Sequence, residues 1–235
     1  MKTLKTIQSK LREASNPEKA IILQRFFKTG KGEYGEGDKF LGIQIPLLRA
    51  LVKEFPVITI EESFELLQSV YHEERMLGLL FFLRLFQKGD EKTKKKIFDL
   101  YLKNTSQINN WDLVDASAPH IVGAWLWDKE RKVLYKLVKS KSLWERRIAI
   151  ISTQHFIGKK DFAETLSISK ILLNDKADLI HKAVGWMLRE IGNRDLETEE
   201  TFLKEHYKQM PRTMLRYAIE KFPEKRRREF LEGKV

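Results

Sequence analysis

The 235-residue chain contains no cysteine. That excludes disulfides, thiolate zinc sites and iron–sulfur clusters, and it fits a reducing cytosol. No stretch approaches the roughly 18 uninterrupted apolar residues that span a bilayer. The first ten residues, Met-Lys-Thr-Leu-Lys-Thr-Ile-Gln-Ser-Lys, read as amphipathic helix with no apolar run or cleavage site behind them, so no signal peptide is expected. These absences lead us to expect a soluble cytoplasmic protein with no membrane partner. The histidines, His72, His120, His155, His181 and His206, show neither His-Glu-x-x-His nor any other ligand spacing, and we expect no metal. No serine and histidine arrangement suggests acyl transfer, and we expect no cofactor.

What the chain does have is cationic charge. It carries 44 Lys and Arg against 33 Asp and Glu, a formal +11 that favours polyanionic partners such as nucleic acid. Its 42% hydrophobic content is ample for a packed core. Apolar residues recur at three- and four-residue spacing almost throughout, and sustained strand-like alternation is scarce, so the fold class is all-α. Helices are expected at 2–14, 17–28, 45–54, 60–70, 73–87, 91–103, 110–127 (broken at Pro119), 130–139, 143–157, 160–173, 178–191, 197–208, 211–221 and 223–231. Pro17, Pro46, Pro119, Pro211 and Pro223 stand where helices begin, and Pro56 falls in a break. Residues 28–42 depart from this rhythm. Five of the chain's twelve glycines fall between Thr29 and Gly42, which we read as a loop or short hairpin inserted in the helical array. It lacks Gly-Lys-Ser/Thr and a preceding strand, which argues against a nucleotide P-loop.

The helices repeat. Arg75-Met-Leu-Gly, Trp111-Asp-Leu-Val, Arg146-Arg-Ile-Ala, Lys182-Ala-Val-Gly and Arg212-Thr-Met-Leu align with offsets of 36, 35, 36 and 30 residues. Helix pairs at this period indicate a right-handed α-solenoid of the HEAT kind, and we expect residues 1–235 to form a single domain of stacked pairs. Numbered from the first aligned residue, positions +2, +5, +6 and +9 form the apolar stripe, as in Val184, Met187, Leu188 and Ile191. Near 0, +4 and +7 stand Arg75, Trp111, Asp115, Arg146, Lys182, Trp186, Arg189, Arg212 and Arg216. That side is expected to be a concave, basic, DNA-binding face, its cations taking phosphates while the rings meet sugars and bases. Trp125, Trp127 and Trp144 read as core, whereas Trp111 and Trp186 lie opposite their helices' apolar stripes. Asp115 is the lone acid of the face and shares a helix side with Trp111. A carboxylate repels phosphate, so its presence there suggests either chemistry or an ordinary surface salt bridge.

With these repeats, Trp111-Asp-Leu-Val-Asp115, Trp144-Glu-Arg-Arg147 and Lys182-Ala-Val-Gly-Trp-Met-Leu-Arg-Glu190, the sequence resembles the DNA alkylation-repair glycosylases built from HEAT-like repeats, the AlkD-like family. The likeness runs from Asn16-Pro-Glu-Lys-Ala20 through Phe40-Leu-Gly-Ile-Gln-Ile-Pro46 to Met210-Pro-Arg-Thr-Met-Leu-Arg-Tyr217. The resemblance implies an enzyme that excises cationic N3- or N7-alkylated purines by hydrolysing the N-glycosidic bond. It implies that Asp115 stabilises the oxocarbenium ion and positions water, that Trp111 and Trp186 pack against the deoxyribose, and that Arg147 contacts the DNA backbone. Two features depart from the excising members: Phe26 stands where they carry an aromatic hydroxyl, and Gly30–Gly42 is an insertion they lack.

Two other readings follow. Relatives with such an insertion resemble structure-selective binders of branched or distorted DNA, and a HEAT array can also serve as a scaffold for an acidic protein. On the first two readings the partner is double-stranded or branched DNA, bound by a monomer.

Overall fold

The computed structural model describes residues 2–235. Among them no strand forms, and Lys39 and Tyr71 make one isolated parallel bridge. The chain packs as two compact units, one ending at Leu113 and the other beginning at Val114.

The first unit contains α1 (Lys2–Glu13), α2 (Pro17–Phe26), α3 (Ile45–Glu54), α4 (Ile60–Leu67), α5 (His72–Lys88) and α6 (Glu91–Lys103), and it ends in the first turn of α7 (Trp111–Ala118). Local chemistry sets the starts. Asn16 accepts from the Lys19 amide ahead of Pro17, Thr59 and Glu62 close a reciprocal capping box, and Asp90 accepts from the Thr93 amide. Helix α5 is buried nearly all round, as expected of a central helix. Its Leu77, Phe81 and Phe82 are buried, as are Leu48 of α3, Leu66 and Leu67 of α4 and Ile97 of α6, the helices it packs against.

The second unit takes up the rest of α7, which passes at Pro119 into a π-helical turn ending at Gly123, as expected of a proline that cannot donate to the preceding turn. Then follow α8 (Lys132–Leu137), α9 (Leu143–Ser152), α10 (Gln154–Gly158), α11 (Ala163–Leu172), α12 (Asp178–Gly192), α13 (Leu196–His206), α14 (Arg212–Ala218) and α15 (Glu224–Glu232). Residues 143–157, expected as one helix, are two, because Thr153 turns the chain and caps Ile150 with its hydroxyl. Trp125 and Trp144 are buried as expected. Trp127 is not core: it is 38% exposed in the loop after the π turn, with the Arg131 guanidinium over its ring.

Two of the repeats carry glycine at position +3, and there a neighbouring helix comes close. A Cβ on Gly78 would lie 2.7 Å from the Ser63 carbonyl oxygen of α4, and one on Gly185 would lie 2.4 Å from the Met214 carbonyl oxygen of α14. Backbone cannot yield as a flexible side chain can. Gly185→Ala should therefore lower stability by about 1–3 kcal/mol, the overpacking cost exceeding alanine's helix propensity gain of about 1 kcal/mol. Thermal unfolding of the variant checks this, and an unchanged midpoint would contradict the close approach.

Candidate functional site

In the second unit, α7 and α9 present Asp115 and Arg147 to each other. Asp115 stands at +4 of its repeat and Arg147 at +1 of the next, 32 residues later. The Arg147 Nε donates to Asp115 Oδ1 at 2.9 Å and Nη2 to Oδ2 at 2.8 Å, a two-pronged pair. The guanidinium also donates to the Leu179 carbonyl ahead of α12 residues Ile180 and His181, so it ties three successive repeats. Arg147 is 5% exposed, whereas the Asp115 side chain keeps 16% of its surface. The carboxylate is thus held at both oxygens in a side chain that is not fully enclosed. Trp186, also in this unit on α12, is half-buried between the buried Gly185 and Met187.

In the first unit, Trp111 opens α7 and is half-buried against a cluster of Ala20, Phe27 and Phe40. Its ring stacks on Phe27 at 5.3 Å and 25°, Phe27 stacks on Phe40 at 5.1 Å, and Phe40 stacks on the His72 imidazole at 4.4 Å. Phe26 stands edge-on to Trp111 at 6.0 Å and is 61% exposed. Offset and edge-on pairs of this kind fix ring orientation as well as burying area.

His72 is the hub beneath this stack. Its Nδ1 lies 2.8 Å from Asp38 Oδ2 and its Nε2 2.8 Å from Asp112 Oδ2, while His72 and Asp38 are both buried. Burial alone would lower the imidazole pKa, but hydrogen bonds to Asp112 and Asp38 and their negative charge outweigh it and raise it to about 9. Burial would likewise raise Asp38, yet the His72 hydrogen bond and the charges of Arg75 and His72 hold it below its ordinary 3.8. The cation His72 therefore bridges two carboxylates. Arg75 donates to Asp38 Oδ1 at 2.7 Å and to Asn109 Oδ1 at 3.1 Å.

These bonds also settle the glycine-rich segment. It forms no hairpin: residues 28–38 wind through turns, with the Gly30 and Gly32 amides donating to Glu33 and Glu36. Its end is pinned by the buried Glu73 carboxylate, which accepts from the amides of Leu41, Gly42 and Ile43 at 2.8 to 3.1 Å. Gly42 has φ +81°, and a Cβ there would lie 2.1 Å from the Asn16 carbonyl, so glycine is required.

The cations expected on the basic face divide by what they pair with. Arg75 is 3% exposed, and besides Asp38 and Asn109 it donates to the carbonyls of Ser69 and Gln107. It is an interior tie rather than an outward phosphate grip. Arg146 does the equivalent work in the second unit, reaching back six residues to the Ser140 carbonyl and pairing with Asp175 at 2.6 Å. Position 0 thus serves the architecture in both repeats. Lys182 pairs with Asp178 one turn away, Arg189 pairs with Glu220, and Arg212 donates to the Leu231 carbonyl. Arg216 is exposed on α14 with no side-chain partner among the described residues.

Residues 7–222 match the family described as DNA alkylation repair enzyme. The chain belongs to that family. Among solved structures it is similar to a predicted DNA alkylation repair enzyme from Enterococcus faecalis, with 20% identity and a TM-score of 0.66 over 89% of this chain and 97% of the other. It is also similar to AlkD2 from Streptococcus mutans, with 18% identity and a TM-score of 0.55 over 88% of this chain and 98% of that one. Smu.31 from Streptococcus mutans UA159 matches at 18% identity and a TM-score of 0.56, over 94% and 98% of the two chains. At such identities these likenesses establish the helical-repeat fold. No curated protein matches.

Within this DNA alkylation repair chain, reading the sequence alone missed Asp38, His72 and Asp112 as a group, and missed that Arg147 faces Asp115. The group's members lie 34 and 40 residues apart, beyond any local pattern. The available signal was the repeat itself, which sets side chains about one period apart against each other. Removing one partner of a buried pair leaves the other charge uncompensated, so Arg147→Ala should cost about 3–5 kcal/mol. Lys182→Ala, which breaks an exposed i,i+4 pair, should cost less than about 1 kcal/mol. Urea unfolding of the two variants checks the contrast, and equal losses would contradict it.

Proposed function

We propose that this member of the DNA alkylation repair family is a DNA glycosylase that excises cationic N3- or N7-alkylated purines by hydrolysing the N-glycosidic bond. The observation that carries the reading is the Asp115 carboxylate, both of whose oxygens are gripped by Arg147 while 16% of its side chain stays exposed. An alkylated purine already carries positive charge and leaves readily, so no general acid is needed. What has to be stabilised is positive charge growing on the sugar. A preorganised carboxylate does that without reorganising during the reaction. The same carboxylate can orient the attacking water.

The pairing with Arg147 also answers the objection that a carboxylate repels DNA. The guanidinium compensates its charge until the substrate cation arrives, so phosphates meet no net negative site. Trp186, in the same unit as Asp115, supplies an electron-rich ring face for the sugar cation, the role that the family resemblance also gives Trp111. Lys182, Arg189, Arg212 and Arg216 serve as phosphate contacts. They are on or near the surface, and their exposed pairings exchange cheaply for phosphate. Arg146 and Arg147 reach DNA only at the margin of their existing pairings. Duplex DNA is the substrate, no cofactor takes part, and the protein acts as a monomer.

The test is single-turnover release of 7-methylguanine from an alkylated duplex. Asp115→Asn should lower the rate by about 100- to 1000-fold, the usual cost of removing one well-placed electrostatic group, while leaving DNA affinity equal or higher. Wild-type protein that releases no base above that variant would overturn the reading and leave a binder of distorted DNA.

A further inference from the structure

The clamp around His72 uses more charge than a core needs, and it sits where the glycine-rich segment, α5 and the first turn of α7 meet within the first unit. Two separate connections run from the imidazole to Trp111. One is polar: Nε2 binds Asp112, the residue next to Trp111 in the first turn of α7. The other is a stack of rings, His72 on Phe40, Phe40 on Phe27, and Phe27 on Trp111. A third bond holds the far side, from Nδ1 to Asp38 in the glycine-rich segment that carries Phe40. The segment's other anchors are Glu73 and the backbone pairing of the His72 amide with the Lys39 carbonyl at 2.8 Å.

We propose that His72, as a cation bridging Asp38 and Asp112, is the positioning residue that seats the Trp111 indole, and that the glycine-rich segment is the strap through which it does so. The inference deepens the glycosylase reading, because it gives Trp111 a fixed ring face to offer a sugar cation, and it rests on that reading for its functional consequence only. The charges facing His72 are Asp38 from the segment and Asp112 from α7. Arg75, three residues on along its own α5, acts through Asp38, and Glu73 of the same helix is turned to the segment's amides. Phe27 and Phe40 cover the ring and keep water from replacing the carboxylates.

Loss of the imidazole proton takes the His72 donor away from one of the two carboxylates, since a neutral ring has a single N–H, and Asp38 still keeps Arg75. The Asp38 side chain is 1% exposed and cannot take water in place of the ring, whereas that of Asp112 keeps 16% of its surface, so losing either bond loosens the link between the strap and the first turn of α7. The linkage has a definite sign. A histidine whose folded pKa of about 9 lies above its free value near 6.5 contributes its full stabilisation below about pH 6.5 and loses it as pH rises through about 9.

The experiment follows the 15N-indole resonance of Trp111 in the full chain, assigned by its disappearance in Trp111→Phe. In wild type the resonance should hold still between pH 6 and 8 and then shift with a midpoint near 9. In His72→Gln it should stand displaced already at pH 7 and show no step. Asp112→Asn keeps an acceptor but removes one charge, and it should move the midpoint down, which covers the case in which His72→Gln fails to fold. Base release at pH 7 should fall about 10- to 100-fold in His72→Gln, the order expected of a group misplaced by about 1 Å. A Trp111 signal that shows no step in wild type, or a midpoint unmoved in Asp112→Asn, would overturn the inference. Absence of base release from wild type would instead remove the glycosylase reading and leave the indole measurements to decide the role of His72.

Discussion

Charge can be buried only when it is paired, and one such paired cluster in each compact unit bears on the Trp111 to Asp115 stretch. In the second, Arg147 grips Asp115 and the Leu179 carbonyl, with 5% of the arginine exposed. In the first, His72 and Arg75 neutralise Asp38, and Asp112 completes the set. Neither cluster is a stability device on area grounds. An apolar side chain of like volume would do as well or better in a core. Each instead ties successive repeats at chosen atoms. Each also fixes a residue of the Trp111 to Asp115 stretch, through Asp112 in one unit and Asp115 in the other.

Much of the fold was legible in the sequence. Periodicity and proline positions placed α3 and α6 to the residue, and they placed the break after Ala118, because three-residue spacing and proline geometry are local properties. The stripe of Val184, Met187, Leu188 and Ile191 is fully buried for the same reason. What was not legible is non-local. A helix wheel puts Arg75 opposite its helix's apolar stripe and cannot know that Asp38, Asn109 and two carbonyls enclose it. It also cannot tell Trp127 from Trp125, since Trp125 ends a helical turn, buried, while Trp127 lies exposed in the turn that follows. The glycine-rich segment misled in another way. Its composition suggests a loop or short hairpin and gives no sign of an anchor, whereas Glu73, 30 to 32 residues away, satisfies three of its amides at once.

Membership in the DNA alkylation repair family and the geometry of Asp115 bear on function at different levels. The family sets the class of work. The paired carboxylate bears on how it is done, because it offers fixed negative charge beside cations that phosphates require. Reading the basic face by its pairings sharpens this further. Arg75 and Arg146 build the frame, Arg147 holds the carboxylate, and on the proposed reading Lys182, Arg189, Arg212 and Arg216 meet the polyanion, Arg189 being no more exposed than Arg146. A lone acid on a basic surface then ceases to be an anomaly.

The most direct test of that account is recognition of the charge itself. Affinity should be compared for two duplexes, one carrying a cationic pyrrolidine nucleotide at the lesion position and the other a neutral tetrahydrofuran nucleotide of the same shape. An enzyme that stabilises an oxocarbenium ion should bind the cation at least about 100-fold more tightly, the low end for transition-state mimics, and Asp115→Asn should abolish the difference. Equal affinity of the wild-type protein for both duplexes would contradict the account.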